Sequence, residues 1–228
     1  MKSVGSAYLD PENMVGVDNS HSLPSLKQPK ALIVLFLAEM WERFSYYGMR
    51  ALLVLYVATE LKWGDARAYG ILGGYGTLLY LNNIAGGMIA DRLLGFRKAV
   101  LIGGVLITLG HFTLAIPHSA ALYLGLALVI SGTGLFKGNI TAFLGEFYTP
   151  NDPRRDNGYT IFYVGINIGG FLSYIACGYV AQKFGWHAAF SLAGFGMLLG
   201  LSAFVLGGRY LENKGRPPYP HRLTQRAA

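Results

Sequence analysis

Four charged residues lie within the first long apolar run of the sequence. Glu39, Glu42, Arg43 and Arg50 interrupt a run that begins at Ala31. A charged side chain at the centre of a membrane helix costs at least ~2.5–3.5 kcal/mol on insertion scales. Carboxylates in a membrane cavity are suited to carrying protons, because desolvation and neighbouring charges move their pKa upward. The four charges therefore predict an intramembrane site for proton or ion chemistry.

The helical repeat places these charges on one side of the run. At about 100° per residue, Arg43 lies about 40° from Glu39, and Arg50 about 20°. Tyr46 lies about 20° to the other side, and Glu42 about 60°. We expect this polar stripe to face a water-filled cavity or other helices. The alternative is a cluster that only ties helices together, since residues four apart can neutralise each other. Buried ion pairs often add little net stability, which favours the functional interpretation.

A fifth charge, Lys137, lies inside another apolar run, in the sequence G-T-G-L-F-K-G-N of residues 132–139. It is too far from the end of that run to reach the interface comfortably, and we expect it to need a carboxylate partner, either Glu39 or Glu42. The alternative is an interfacial lysine that snorkels. Polar side chains also recur in other apolar runs: Tyr80, Asn82, Asn83, Tyr163 and Asn167.

The elements that would position these side chains are membrane-spanning helices. The chain has 228 residues, of which 53% are hydrophobic and 14% charged, whereas soluble domains carry about 25% charged residues. A spanning helix needs about 20 mostly apolar residues. Six runs qualify, at residues 31–59, 68–90, 99–116, 121–144, 158–181 and 187–206. We therefore predict an all-α, polytopic membrane protein built as a six-helix bundle.

The basic residues predict the orientation and the organisation of the chain. Thirteen of the 19 Lys and Arg residues lie in segments on one side of the six runs, three lie on the other side, and three lie within runs. This asymmetry predicts that both termini are cytoplasmic. We expect a flexible tail over residues 1–30, the bundle over 31–207, and a cytoplasmic tail or the start of a linker over 208–228. Because the net charge of +7 resides mainly in short connecting segments, nucleic acid is not an expected partner.

Enzymatic chemistry finds no support in the sequence. A single cysteine, Cys177, excludes an intrachain disulfide and a cysteine zinc site; its position in an apolar run indicates packing. The runs contain no H-E-x-x-H, no G-x-S-x-G and no paired catalytic aspartates. We therefore predict that the protein is not an enzyme, and that it uses no metal and no cofactor, protons being the ion that the buried carboxylates would carry.

Three stretches resemble motifs of a known family. Residues 39–48 read E-M-W-E-R-F-S-Y-Y-G, which resembles the E-x-x-E-R-F-x-Y-Y-G motif of the proton-dependent oligopeptide transporter family. Residues 87–98 resemble a loop motif shared by the major facilitator superfamily. Residues 162–169 read F-Y-V-G-I-N-I-G, similar to the family's F-Y-x-x-x-N-x-G. The resemblance covers about residues 27–215 and is closest to bacterial members.

The resemblance implies proton-coupled symport of di- and tripeptides across a bacterial cytoplasmic membrane, and it implies roles for particular residues. The proton-coupling group would be Glu39, Glu42, Arg43 and Lys137. The positions that meet the peptide would be Arg50, Tyr46, Tyr47, Tyr80, Lys137, Tyr163 and Asn167, with Arg50 and Lys137 attracting its carboxylate. The gate motif would comprise Asp91, Arg92 and Arg97.

One departure from the family is large. Its members have twelve core helices in two six-helix bundles, and this chain matches the first bundle. Alternating access needs two halves that rock about a central site, so a C-terminal six-helix bundle is an expected partner, together with the lipid bilayer. We expect the lone bundle to expose its charged stripe. Two alternatives stay open: a transporter of another small anion, such as nitrate, and a truncated, non-transporting six-helix remnant.

Overall fold

The computed structural model describes residues 27–217, and helices dominate this range. The six long helices are α1 (Ala31–Leu55), α2 (Asp65–Ile89), α3 (Gly95–Leu114), α4 (Ser119–Gly145), α5 (Arg155–Phe184) and α6 (Trp186–Leu206). The predictions of an all-α architecture and of six helices are confirmed, with bounds that differ by a few residues. Most of the predicted tail over residues 1–30, and residues 218–228, lie outside the described range.

The helices alternate in direction, which gives the bundle two ends. The starts of α1, α3 and α5 and the ends of α2, α4 and α6 form what we call the lower end. Four helical stretches are long and apolar enough to cross a membrane: Asp65–Leu114, which contains both α2 and α3, Ser119–Gly145, Arg155–Phe184 and Trp186–Leu211. α1 is not among them, since it carries four charged residues.

The connection between α2 and α3 differs from the predicted charged loop. A π-helical turn, Ala90–Leu94, continues α2, and α3 begins directly at Gly95. Gly95 has φ +72°, a left-handed conformation that residues with a Cβ rarely adopt. One glycine therefore makes the reversal that we expected from a longer loop. As a result, Asp91 and Arg92 lie on a helical turn, and Arg97 lies in the first turn of α3.

α1 packs against α5 and α6 at glycines on both helices. A Cβ at Gly165 of α5 would lie 2.8 Å from the ring of Phe36, and one at Gly169 would meet the carbonyl oxygen of Met40. On α6, a Cβ at Gly200 would lie 2.9 Å from Trp41. Small residues let helix backbones approach closely where apolar burial gives little driving force. These contacts enclose two sides of α1.

Glycines also bring α4 close to both α2 and α3. Gly103 of α3 meets Gly132 of α4, and Gly110 of α3 meets Gly125 of α4. Within each helix the two glycines are seven residues apart, which is about two helical turns. On another side of α4, a Cβ at Gly86 of α2 would meet the backbone of Gly134. The glycines of α4 therefore let both α2 and α3 approach its backbone closely, which fixes the part of α4 that carries Lys137.

Candidate functional site

The centre of α1 holds a buried cluster of three charged side chains, which we call the triad. The Nε atom of Arg43 lies 3.0 Å from Oε1 of Glu39, and its Nη2 contacts Oε2 of Glu42. None of the three residues is more than 2% exposed. Residues four apart share a helix face, so the local helix brings Glu39 to Arg43, while Glu42 reaches the guanidinium from the neighbouring position.

The burial of the triad corrects the expectation about the charged stripe of α1. We expected a lone bundle to expose its charged stripe, but the stripe is divided: the triad is buried, Tyr46 and Tyr47 are half-buried, and Arg50 is exposed. The physical reason is that α5 and α6 cover one side of α1 while α2 and α4 approach the other. Arg50 lies two turns further along, on a part of the surface of α1 that these helices leave uncovered, although its neighbours Met49 and Leu53 are buried. The single bundle therefore completes the enclosure of the triad.

The composition of the triad suits it to exchange a proton. Two carboxylates and one guanidinium carry a net charge of −1 when all are ionised, and one bound proton makes the cluster neutral. Oε2 of Glu39 and Oε1 of Glu42 accept no hydrogen bond from any side chain or backbone group within residues 27–217. An uncompensated buried charge is costly, so these free oxygens are suitable positions for a proton.

A row of tyrosines runs from α2 across α1 to α5 beside the triad. The guanidinium of Arg43 lies 5.2 Å from the ring centroid of Tyr46, which stacks on Tyr75 at 6.4 Å. Tyr46 also contacts Tyr47 edge to face, and Tyr47 lies 6.2 Å from Tyr174. Sequence reasoning missed Tyr75 and Tyr174. A usable signal existed for Tyr174, because it follows Asn167 by seven residues and so falls on the same face of α5.

Lys137 lies near the triad without joining it. Its side chain is half-buried, and Nζ lies 5.9 Å from the ring centroid of Tyr80. Glu39 and Glu42 are both within electrostatic range of Lys137, but within residues 27–217 neither forms an ion pair with it. The expected ion pair is therefore not formed in this structure. The lysine is half-buried, with the exposed ring of Tyr80 as its described aromatic neighbour.

The remaining candidate pocket residues are exposed, Tyr80 on α2 and Tyr163 and Asn167 on α5, and we call these three residues together the open face. Tyr80 is 70% exposed and Tyr163 is 53% exposed. Asn167 is exposed, and its Nδ2 donates to the carbonyl oxygen of Tyr163 at 3.2 Å. This bundle alone does not enclose these three side chains, in contrast to the triad.

The gate motif at the lower end holds the segment that follows α6. Its Arg97 donates from Nη2 to the carbonyl of Gly208 and from Nη1 to that of Glu212, both at 3.3 Å. Glu146, at the end of α4, accepts the backbone N–H of Gly215 at 2.6 Å. Sequence reasoning missed Glu146 because its partner lies 69 residues away. The start of the predicted tail is thus packed on the bundle.

The other two gate residues, Asp91 and Arg92, are exposed at the same end. A cavity of about 220 Å³ separates Asp91 from the docked segment, and Glu146 and Arg216 contribute to its wall. The structure therefore places the three gate residues together at the lower end, with Arg97 turned toward the segment after α6.

The loop between α4 and α5 makes a second connection at the lower end. Arg154 forms two side-chain hydrogen bonds with Asp152, at 3.0 and 2.7 Å, and these hydrogen bonds lower the pKa of the Asp152 carboxyl to about 2. Arg154 also donates from Nη1 to the carbonyl of Lys27 at 3.0 Å, and its own carbonyl accepts from Gln28. This loop therefore positions the chain where it enters α1.

Comparison with solved structures defines the class of protein: the bundle has the fold of one half of a major facilitator superfamily transporter. It matches the crystal structure of a peptide transporter, POT, in complex with sulfate, with a TM-score of 0.81 and 44% identity over 88% of this chain. It also matches a POT family transporter in complex with 5-aminolevulinic acid, with a TM-score of 0.80 and 38% identity over 88% of this chain. Each match covers 43% of the other chain.

The sequence comparisons name the family. The sequence model of the POT family matches residues 97–225. The chain is 41% identical, over 94% of its length, to an uncharacterised transporter, YclF, of Bacillus subtilis (strain 168). It is 46% identical, over 84% of its length, to a di-/tripeptide transporter of Lactococcus lactis subsp. lactis (strain IL1403). The chain belongs to the POT family, whose members are membrane transporters, not enzymes. It spans 46% and 40% of the length of these two relatives.

Proposed function

We propose that this chain is the N-terminal half of a proton-coupled symporter of di- and tripeptides. The observation that carries the proposal is the closed triad beside an open face. The bundle encloses two carboxylates and an arginine, and it leaves Arg50 and three polar pocket residues exposed on other parts of its surface. A second six-helix bundle would cover the open face and would complete a cavity between the halves.

The triad and Lys137 would couple the proton to the peptide. A proton on Glu39 or Glu42 removes one negative charge from the cluster, which weakens the attraction between the cluster and Lys137. The lysine is then free to attract a peptide carboxylate, together with Arg50. Recognition of the terminal carboxylate, which every peptide shares, is compatible with many different side chains. The half-buried position of Lys137, near the triad and 5.9 Å from the ring of Tyr80 on the open face, supports this role.

The proposed setting is the bacterial cytoplasmic membrane, with both termini in the cytoplasm. The excess of Lys and Arg in the segments at the lower end supports this orientation. The partner required for transport would be the C-terminal six-helix bundle, and the coupling ion would be a proton, with no other cofactor. An open reading frame that continues past Ala228 into six further helices would support this arrangement. A stop codon there would favour the non-transporting remnant.

Uptake of a labelled dipeptide into liposomes containing the full-length transporter tests the proposal. We expect an inward proton gradient to drive accumulation, and we expect Glu42→Gln and Lys137→Ala to abolish the dependence on that gradient. Gradient-driven uptake that survives both substitutions would exclude this coupling mechanism. Protein yield and the elution profile of each variant in detergent serve as controls for folding.

A second candidate within the family is a transporter of another small anion. The observation that favours it is that Arg50 and Lys137 form no ion pair within residues 27–217, so both cations are open to an anion of any kind. Competition separates the candidates. Unlabelled dipeptides should reduce uptake of a labelled dipeptide, whereas nitrate should not. Proton-driven nitrate uptake that dipeptides leave unchanged would support the second candidate.

A further inference from the structure

Two asparagines join α2 to α4 by hydrogen bonds that run in opposite directions. Nδ2 of Asn82, on α2, donates to the carbonyl oxygen of Ile130 on α4 at 2.8 Å. Nδ2 of Asn139, on α4, donates to the carbonyl oxygen of Gly86 on α2 at 3.2 Å. We call this pair of interactions the asparagine clasp. Asn139 is 3% exposed, and its amide also donates to Leu135 within its own helix at 2.9 Å.

The two hydrogen bonds of the clasp flank the segment of α4 that carries Lys137. The two attachment points on α4, Ile130 and Asn139, lie on either side of the lysine in the sequence. Between them, Gly134 is in direct contact with Asn82, because a Cβ at Gly134 would lie 2.6 Å from the backbone oxygen of Asn82. Sliding α4 along α2 by one residue, about 1.5 Å, would disturb both hydrogen bonds and this contact together.

The position of the Lys137 side chain depends on how far α4 lies along α2, because no ion pair fixes that side chain within the described range. Its distance from the triad is therefore set mainly by where α4 lies. The ring of Tyr80, which is the described aromatic neighbour of the ammonium group, belongs to the same helix as Asn82. The clasp thus ties together the helix that carries the lysine and the helix that carries its aromatic contact.

We propose that Asn82 and Asn139 are positioning residues that hold Lys137 at its working distance from the triad. The inference rests on the proposed function, because it assigns the clasp a role in proton coupling. Close packing of α2 and α4 does not require the two hydrogen bonds, because the contact between Gly86 and Gly134 already brings the two helices together. A hydrogen bond that a buried amide makes across helices supplies direction as well as proximity.

The first experiment measures proton-driven dipeptide uptake by the full-length transporter in liposomes across external pH. Asn139→Leu and Asn82→Leu remove the amides at similar volume. We expect each to slow uptake by about fivefold and to shift the pH profile of uptake away from that of the wild type. Because Lys137→Ala should lose gradient-driven uptake, the measurement in that background is the exchange of labelled for unlabelled dipeptide without a gradient. There the same two substitutions should slow exchange less than about twofold, because the group they position is gone.

A matched control is Thr108→Val, which removes a buried hydroxyl of α3 whose hydrogen bond, to Gly104, stays within its own helix. It should leave the pH profile unchanged. Equal losses of activity from the asparagine substitutions with and without Lys137 would overturn the proposal. An unshifted pH profile would overturn it too. Asn82 is only half-buried, so Asn82→Leu remains informative if Asn139→Leu fails to fold.

A second experiment separates this inference from the proposed function. Lys137→Cys is placed in a Cys177→Ala background, and the labelling rate of the new thiol by a water-soluble maleimide is measured with and without Asn82→Leu. We expect the labelling rate to change at least about threefold when the clasp is removed. An unchanged rate overturns the inference. This measurement is valid even if the wild-type protein transports no peptide, a result that would count against the proposed function alone.

Discussion

The triad and the open face lie in the same bundle but in opposite environments. Glu39, Glu42 and Arg43 are enclosed by helices of this chain, whereas Tyr80 and Tyr163 are more than half exposed. The difference shows that this bundle alone buries the charged cluster, whereas it leaves the candidate pocket tyrosines exposed. Under the proposed function, proton coupling and substrate binding make different structural demands, and only substrate binding would need a second bundle.

The largest effect should come from removing the cation of the triad. Arg43→Met leaves two buried carboxylates without their partner, and breaking a buried pair in this way costs about 3–5 kcal/mol. We expect a large drop in the midpoint of thermal unfolding in detergent. Arg50→Met is the matched control on the exposed part of the same helix, and it should change the midpoint little. Equal drops would show that burial does not distinguish the two arginines.

The next effect concerns two glycines of α5 in closed and open surroundings. Gly169 faces the Met40 carbonyl oxygen, whereas a Cβ at Gly178 would meet no described atom within 4 Å. Gly169→Ala should destabilise the bundle by about 1–3 kcal/mol through overpacking against a backbone. Gly178→Ala should be tolerated. The measurement is again thermal unfolding, and a neutral Gly169→Ala would mean that α1 and α5 separate easily.

A smaller effect is expected where the segment after α6 docks at the lower end. Gly215 has φ +71°, and its Cβ would lie 2.6 Å from Phe143; Gly64 has φ +80° in open surroundings. Both alanine substitutions should cost roughly 1–2 kcal/mol for the left-handed backbone. Gly215→Ala should add a steric cost and should expose residues 208–217 to a protease. If both variants are cleaved at the wild-type rate, this docking is not what protects the segment.

The smallest effect should appear at the hydrogen-bonded loop between α4 and α5. The pKa of Asp152 is lowered to about 2 in the folded protein, below the value of about 3.9 for an unfolded chain. The ionised carboxylate of Asp152 therefore contributes fully to stability above about pH 4, and this contribution is lost as the pH falls through about 2. Asp152→Asn should lower the unfolding midpoint slightly at pH 5–8.

This difference between the Asp152→Asn variant and the wild type should narrow between about pH 4 and pH 2. The control is Asp156→Asn, in the exposed first turn of α5, where Asp156 forms no ion pair within the described range. A difference that persists unchanged at pH 2 would show that the ionised carboxylate does not supply the stability.

Much of the fold and part of the site could be predicted from the sequence. Long apolar runs predict helices because a backbone in lipid must satisfy its own hydrogen bonds, and the 3.6-residue repeat places Glu39 and Arg43 on one face. The motif around Glu42 indicates the family that the comparisons confirm. The single glycine reversal at Gly95 was not predicted, since charged residues beside it favoured a loop. The roles of the candidate residues stay predictions.

Six helices, and a charged face on the first of them, follow from the sequence alone, because hydrophobicity and periodicity are local properties. The packing of the helices determines that the triad is buried while Arg50 is exposed, and that Lys137 forms no ion pair with the triad within the described range. It also determines that Asn139 reaches Gly86 across 53 residues of sequence. The physical reason is that periodicity fixes the direction of a side chain around its own helix, whereas the neighbour it meets depends on how separate helices pack.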